Sequence, residues 1–123
     1  MKKIAEDAKV IAVLYGKNSL IDSELLGFNI FRDSDSGNVI TELNLKLHHD
    51  AELGVVLLRC INAKEISFFY RYDYDFGLVE SFKLLQGEKG FYCALDPDSS
   101  TQDVSIEDQN FVFAESLELF ELE

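Results

Sequence analysis

Val39-Ile40-Thr41-Glu42-Leu43-Asn44-Leu45-Lys46-Leu47 places Val39, Thr41, Leu43, Leu45 and Leu47 on one parity and Ile40, Glu42, Asn44 and Lys46 on the other. Successive side chains of a strand point to opposite faces, so this stretch predicts a strand with one dry face and one wet face. Just upstream, Leu26, Phe28 and Ile30 alternate with Gly27, Asn29 and Phe31, and Asp33-Ser34-Asp35-Ser36-Gly37-Asn38 supplies turn residues between the two runs. The pair reads as a hairpin. Downstream, Val55 to Ile61 is apolar on both parities apart from Arg59, the pattern of a central strand covered on both sides.

Working outward, Asn62-Ala63 reads as a tight turn and Lys64 to Phe76 as a further strand. Val79 to Leu85 and Phe91 to Leu95 flank Gly87-Glu88-Lys89-Gly90, a connection of hairpin length, although Leu78, Phe82 and Leu85 also fit a short helix. Asp96 to Asn110 is polar, and Ser105-Ile106-Glu107-Asp108 has capping-box spacing that predicts a helical turn. Phe111 to Leu122 closes the chain as a strand. At the other end, Ile4, Ala8, Ile11 and Tyr15 recur at helical spacing before Gly16, predicting an amphipathic helix over residues 3–15. Lys2 and Lys3 stand at the wrong end of that helix's dipole, and Val10-Ile11-Ala12-Val13 would serve equally as a strand. The expected architecture is α+β: a single domain over residues 1–123, built as one twisted, mostly antiparallel meander sheet of six to seven strands with an N-terminal helix packed on one face.

The charge is lopsided. Residues 1–64 carry nine acids and eight bases, whereas residues 65–123 carry fourteen acids and three bases, which accounts for nearly all of the net charge of −12. A surface that binds phosphates needs Lys and Arg, and an anionic bilayer repels carboxylates, so nucleic acid and membrane are poor partners and a basic protein is a good one. An acidic surface that serves only solubility is the plain alternative. The longest apolar run, Val10 to Tyr15, is six residues, and Glu6, Asp7 and Lys9 interrupt the place of a signal-peptide core, so a cytoplasmic location is expected. Cys60 and Cys93 each lie within an apolar segment, as reduced core thiols do.

The most unusual local pattern is Phe68-Phe69-Tyr70-Arg71-Tyr72-Asp73-Tyr74-Asp75-Phe76. If extended, it lines Phe68, Tyr70, Tyr72, Tyr74 and Phe76 on one face as an aromatic ladder. Phe68 and Tyr70 fit a core, while Tyr72 and Tyr74 beside Asp73 and Asp75 have the composition of an interface for a basic partner. Asp103, Glu107 and Asp108 are secondary contact candidates. No catalytic motif stands out: His48 and His49 are adjacent and face opposite sides of a strand, with His49 on the apolar parity, and no pair of the many carboxylates is singled out as acid and base. A calcium loop begun at Asp96 has Thr101 where glycine is required. No cofactor or metal is expected.

Ile21-Asp22-Ser23-Glu24-Leu25 leading into Phe28-Asn29-Ile30, the alternating Leu43-Asn44-Leu45-Lys46-Leu47, the strand Val56-Leu57-Leu58-Arg59-Cys60 and the following Ile61-Asn62-Ala63-Lys64-Glu65-Ile66 together resemble small immunity proteins of bacterial polymorphic toxin systems. The resemblance spans about residues 20–95. It implies an antiparallel sheet with few helices and a stoichiometric cytosolic inhibitor of a cognate toxin, and it carries over no catalytic residue. Joined to the charge, the expectation is a non-enzymatic module whose carboxylates occlude a toxin's cationic cleft, a nuclease's being the best fit. A nucleic-acid mimic that inhibits several DNA-binding proteins and a small-ligand binder or enzyme are the alternatives.

Overall fold

The computed structural model describes residues 1–122. Eight strands, β1 (Lys2–Glu6), β2 (Ser23–Arg32), β3 (Val39–Lys46), β4 (Val55–Ser67), β5 (Leu78–Val79), β6 (Lys83–Gly87), β7 (Gly90–Asp96) and β8 (Gln109–Leu122), form one sheet, and α1 (Ala8–Tyr15) lies between the first two. All pairings are antiparallel. The order is β5-β2-β3-β4-β8-β7-β6, with β1 alongside the far half of β8. Two meanders, β2-β3-β4 and β6-β7-β8, are thus joined through the long β4–β8 pair, and the α+β architecture holds.

The dry parity of β3 makes the core. Leu43, Leu45 and Leu47 are buried with Val56, Leu58 and Cys60 of β4, Leu117 and Leu119 of β8, and Cys93 and Leu95 of β7. Removing this apolar surface from water is the main stabilising term, worth roughly 25 cal/mol per Å². α1 closes the core chiefly with Val10 and Leu14, one turn apart; of the predicted face, Ile4 and Ile11 pack against the core partly buried, while Ala8 and Tyr15 are exposed. Its Tyr15 stays half exposed, stacks near Phe82, and accepts the Leu84 N–H through its hydroxyl.

On the other face the wet parity forms a charge ladder. Glu42, Arg59 and Glu118 are register neighbours across β3, β4 and β8. Arg59 Nε donates to Glu42 at 2.8 Å and lies 3.5 Å from Glu118, which takes a second bond from Lys3 Nζ at 2.7 Å; Lys3 also bonds Glu6. Opposite charges directly across strands stabilise the pairing, so Arg59 interrupts an apolar strand for a reason.

Four predicted boundaries change. Val79 to Leu85 is neither one strand nor a helix: the chain leaves β2 after Val79 and starts β6 at Lys83 to pair with β7. The helix does not start at residue 3: Lys2–Glu6 is strand, and Asp7 ends it in a left-handed conformation (φ 50°). Asp7 holds that corner by donating its N–H to the Leu117 carbonyl and accepting the Leu117 N–H on Oδ1, both at 2.9 Å. As strand residues, Lys2 and Lys3 escape the helix dipole. Asn62-Ala63 is not a turn. Asn62 takes φ 56°, bonds Glu115 through its amide, and the register slips between Ala63 and Glu65, so β4 continues through a bulge. Finally, residues 68–76 are not a strand. The β4–β8 ladder ends at Ser67–Phe111, because the next residue of β8, Asn110, takes φ 53° and meets the Phe69 N–H with its side chain in place of its backbone.

Candidate partner-binding surface

Freed from the sheet, Phe68 to Gly77 arches back from β4 to β5, with a turn closed by the Tyr74 N–H on the Arg71 carbonyl at 2.9 Å. The aromatic residues therefore do not form a ladder. Phe68 stacks on Phe28 (centroids 4.5 Å), Phe76 lies near Phe28 and edge-on to Tyr70 (5.6 Å), and Phe69 meets Tyr74 edge-on (5.4 Å). Phe68 and Phe76 pack on the core and hold the loop from beneath, whereas Tyr70, expected in the core, is exposed along with Phe69 because the chain has left the sheet. Asn110, buried and left-handed (φ 53°), pins it again: its Oδ1 accepts the Phe69 N–H at 2.9 Å and its amide donates to the Tyr74 hydroxyl at 3.2 Å.

Each sequence-predicted residue then has a place. Tyr72 is 91% exposed and touches no ring of the cluster. Asp73 is exposed and accepts from Arg71 Nε at 2.9 Å. Tyr74 is half-buried; its hydroxyl donates to Asp96, and burial together with that bond pushes its pKa up to about 12. Asp75 is exposed and lines a hollow of about 280 Å³ with Tyr74, Glu80 and Asp96.

Asp103 and Glu107 are exposed on a second loop, residues 97–108. Asp103 lines a separate hollow with Tyr92, Val104 and Phe113. Asp108 is different: it is buried and organises this loop from inside. It accepts from Lys83 Nζ (2.8 Å), the Tyr92 hydroxyl (2.7 Å), the Asp98 N–H (2.8 Å) and the Ser105 N–H (2.9 Å). Burial alone would raise its pKa, but these donors outweigh it and hold the carboxyl at about 2. Asp108 is therefore a support and not a surface contact. The capping box becomes a single turn, in which the Asp108 N–H donates to the Ser105 carbonyl and Glu107 N–H to Ser105 Oγ. The two loops meet where Tyr74 reaches Asp96, the last residue of β7.

Sequence reasoning missed Asn110, Asp96 and Lys83. Asn110 carried the one usable signal, since Asn tolerates left-handed backbone and stands immediately before the apolar Phe111 to Phe113. Elsewhere, Cys60 and Cys93 are buried free thiols. Burial raises both, Cys93 to about 12, so neither offers a thiolate at neutral pH. His49 is exposed, because β3 stops at Lys46 and the alternation ends with it. No helix among the described residues is long and apolar enough to cross a membrane.

Comparison with protein-family models, with curated proteins and with solved structures finds no match to this chain.

Proposed function

We propose that this protein is an acidic protein-binding module that inhibits a basic partner by occupying its cationic cleft, the immunity-type role toward a bacterial toxin with nuclease activity. The observation that carries the reading is Tyr72, an aromatic side chain 91% exposed beside the exposed Arg71–Asp73 ion pair and close in sequence to the exposed Asp75, on a loop pinned by Phe68, Phe76 and Asn110. A tyrosine buries about 150–250 Å² when covered, and a loop already ordered loses little entropy on binding. Asp75 gives the anchor a sign preference, Asp73 being paired with Arg71, and the fourteen acids of residues 65–123 extend that field. Carboxylates in a phosphate-binding cleft act as competitors for the substrate's own charge, and their field accelerates encounter.

The test is co-expression with the product of the adjacent reading frame. The expected result is one basic protein retained at low salt, released as salt rises, and no longer toxic. Tyr72→Ala should weaken the complex at least tenfold, as loss of an aromatic anchor does. The double variant Asp73→Lys, Asp75→Lys should slow association at least tenfold with its melting temperature nearly unchanged. Equal association rates would remove this loop as the docking face.

A further inference from the structure

β2 is the edge of the sheet for most of its length. β5 pairs only with Ser23 and Glu24, and the Gly77 carbonyl takes the Leu25 N–H at 2.6 Å. From Gly27 to Arg32 the strand makes its β3 ladder and, among the described residues, no backbone bond on its other side. Such an edge presents a row of free donors and acceptors, which proteins ordinarily guard with Lys, Pro, inward charge or brevity. Gly27-Phe28-Asn29-Ile30-Phe31 contains neither Lys nor Pro and no charge. Phe28 and Ile30 share the face of their register partners Leu43 and Thr41, both fully buried, yet stay 40% and 47% exposed. Phe68 and Phe76 of the overhanging loop cover only part of this face, and Phe28 and Ile30 remain accessible at the edge.

What limits β5 on this side is local. Gly77, the residue before β5, takes φ 101°, outside the extended strand range, and it is here that the chain joins the edge from the loop. A second strand could run along β2 beyond that point. We infer that Gly27–Arg32 is a pairing site for an extended segment of the basic partner, adding a strand to β2. Its inward side chains would be apolar, continuing the Phe28, Ile30 and Phe76 surface, and its outward ones Lys or Arg. This inference rests on the basic-partner reading. The occupant's charge follows from the surroundings: Asp35 beyond one end and Asp75 on the overhanging loop make no ion pair among the described residues, whereas Glu24 faces Lys46 across the β2–β3 ladder and Arg71 is paired with Asp73. Arg32, the one base of the segment, turns to the Gly37 carbonyl. A second copy of this chain would bring a net charge of −12 to the same edge, which argues against self-pairing. Main-chain bonds would supply affinity and the alternate side chains selectivity.

The test needs no toxin. The peptide Lys-Val-Lys-Val-Lys-Val-Lys is titrated into the labelled protein, with amide shifts and hydrogen exchange read residue by residue. Saturable shifts with at least fivefold slower exchange confined to Gly27–Arg32 are expected. They should vanish for the same peptide with alternate amides N-methylated, weaken at least tenfold for the Glu-Val counterpart, and disappear in Ile30→Lys with its melting temperature within a few degrees. Shifts elsewhere, equal binding of the acidic or N-methylated peptide, or no binding would overturn the inference. So would slow exchange of these amides accompanied by dimers without peptide, which would give the edge to a second copy. A toxin complex that forms while Gly27–Arg32 still exchanges freely would refute this inference alone and leave the inhibitor reading standing.

Discussion

Asp108 shows how a residue's chemistry is decided by depth. In the sequence it is one of nine carboxylates after Leu95, indistinguishable from Asp103 or Glu107; in the fold it gathers four donors, with the ammonium of Lys83 buried beside it. Asp108→Asn removes the charge and leaves Lys83 uncompensated, so it should cost about 3–5 kcal/mol, read as a lower urea midpoint. The sign of the pH effect follows from the folded pKa of about 2 against the ordinary 3.8. A depressed acid stabilises the fold while ionised, so its contribution, about 2 kcal/mol, is full above pH 4 and fades as pH falls toward 2. Urea unfolding of wild type and Asp108→Asn at pH 7, 4 and 2 should therefore show the gap between them narrow across the lowest interval. A gap that stays constant down to pH 2 would mean that the carboxyl is not held ionised by its donors.

At the level of elements, what was legible was what the period of two controls. β3, the core of β4, β7 and β8 stand where alternation or continuous apolarity put them, because a buried strand face leaves that trace in one segment alone. What failed was set by a distant partner. Phe68 to Phe76 alternates well enough to be a strand but leaves the ladder where Asn110 takes a positive φ and bonds Phe69 through its side chain, and Lys2–Glu6 becomes one because β8 extends past β7 to receive it. The candidate surface was legible as composition, in Tyr72, Asp73 and Asp75, and not as geometry, since Asn110 and Asp96 act from remote positions. Glycines separate in the same way. Gly87 and Gly90 look equivalent around Glu88-Lys89, but only Gly90 has φ 144° and lies where a Cβ would fall 2.3 Å from the Ala114 carbonyl. Gly90→Ala must strain the backbone and part β7 from β8, and a loss of at least about 2 kcal/mol is expected. Gly87→Ala should stay within about 1 kcal/mol, and chemical denaturation of the two variants compares them directly.

At the scale of the whole molecule, two electrostatic problems have opposite signs. The charge ladder from Glu42 through Arg59 and Glu118 to Lys3 is attractive, but it uses only two of the eleven bases, and twelve carboxylates in excess remain to repel one another in the folded state. Salt screens that repulsion over about 8–10 Å near physiological strength, so thermal stability should rise between 50 and 500 mM NaCl. On the proposed function, binding to a basic partner would use the same carboxylates attractively, so its association rate should fall over the same interval. Asp73→Lys with Asp75→Lys cuts the excess from twelve to eight and should flatten both slopes at once. Melting curves and association kinetics across one salt series, for wild type and this double variant, separate the readings. If stability rises with salt while association is insensitive to it, the acidic half only keeps the chain soluble and the anchoring role of the Tyr72 loop fails. If the two slopes oppose and both shrink in the variant, the field that strains the free protein is the one that selects its partner.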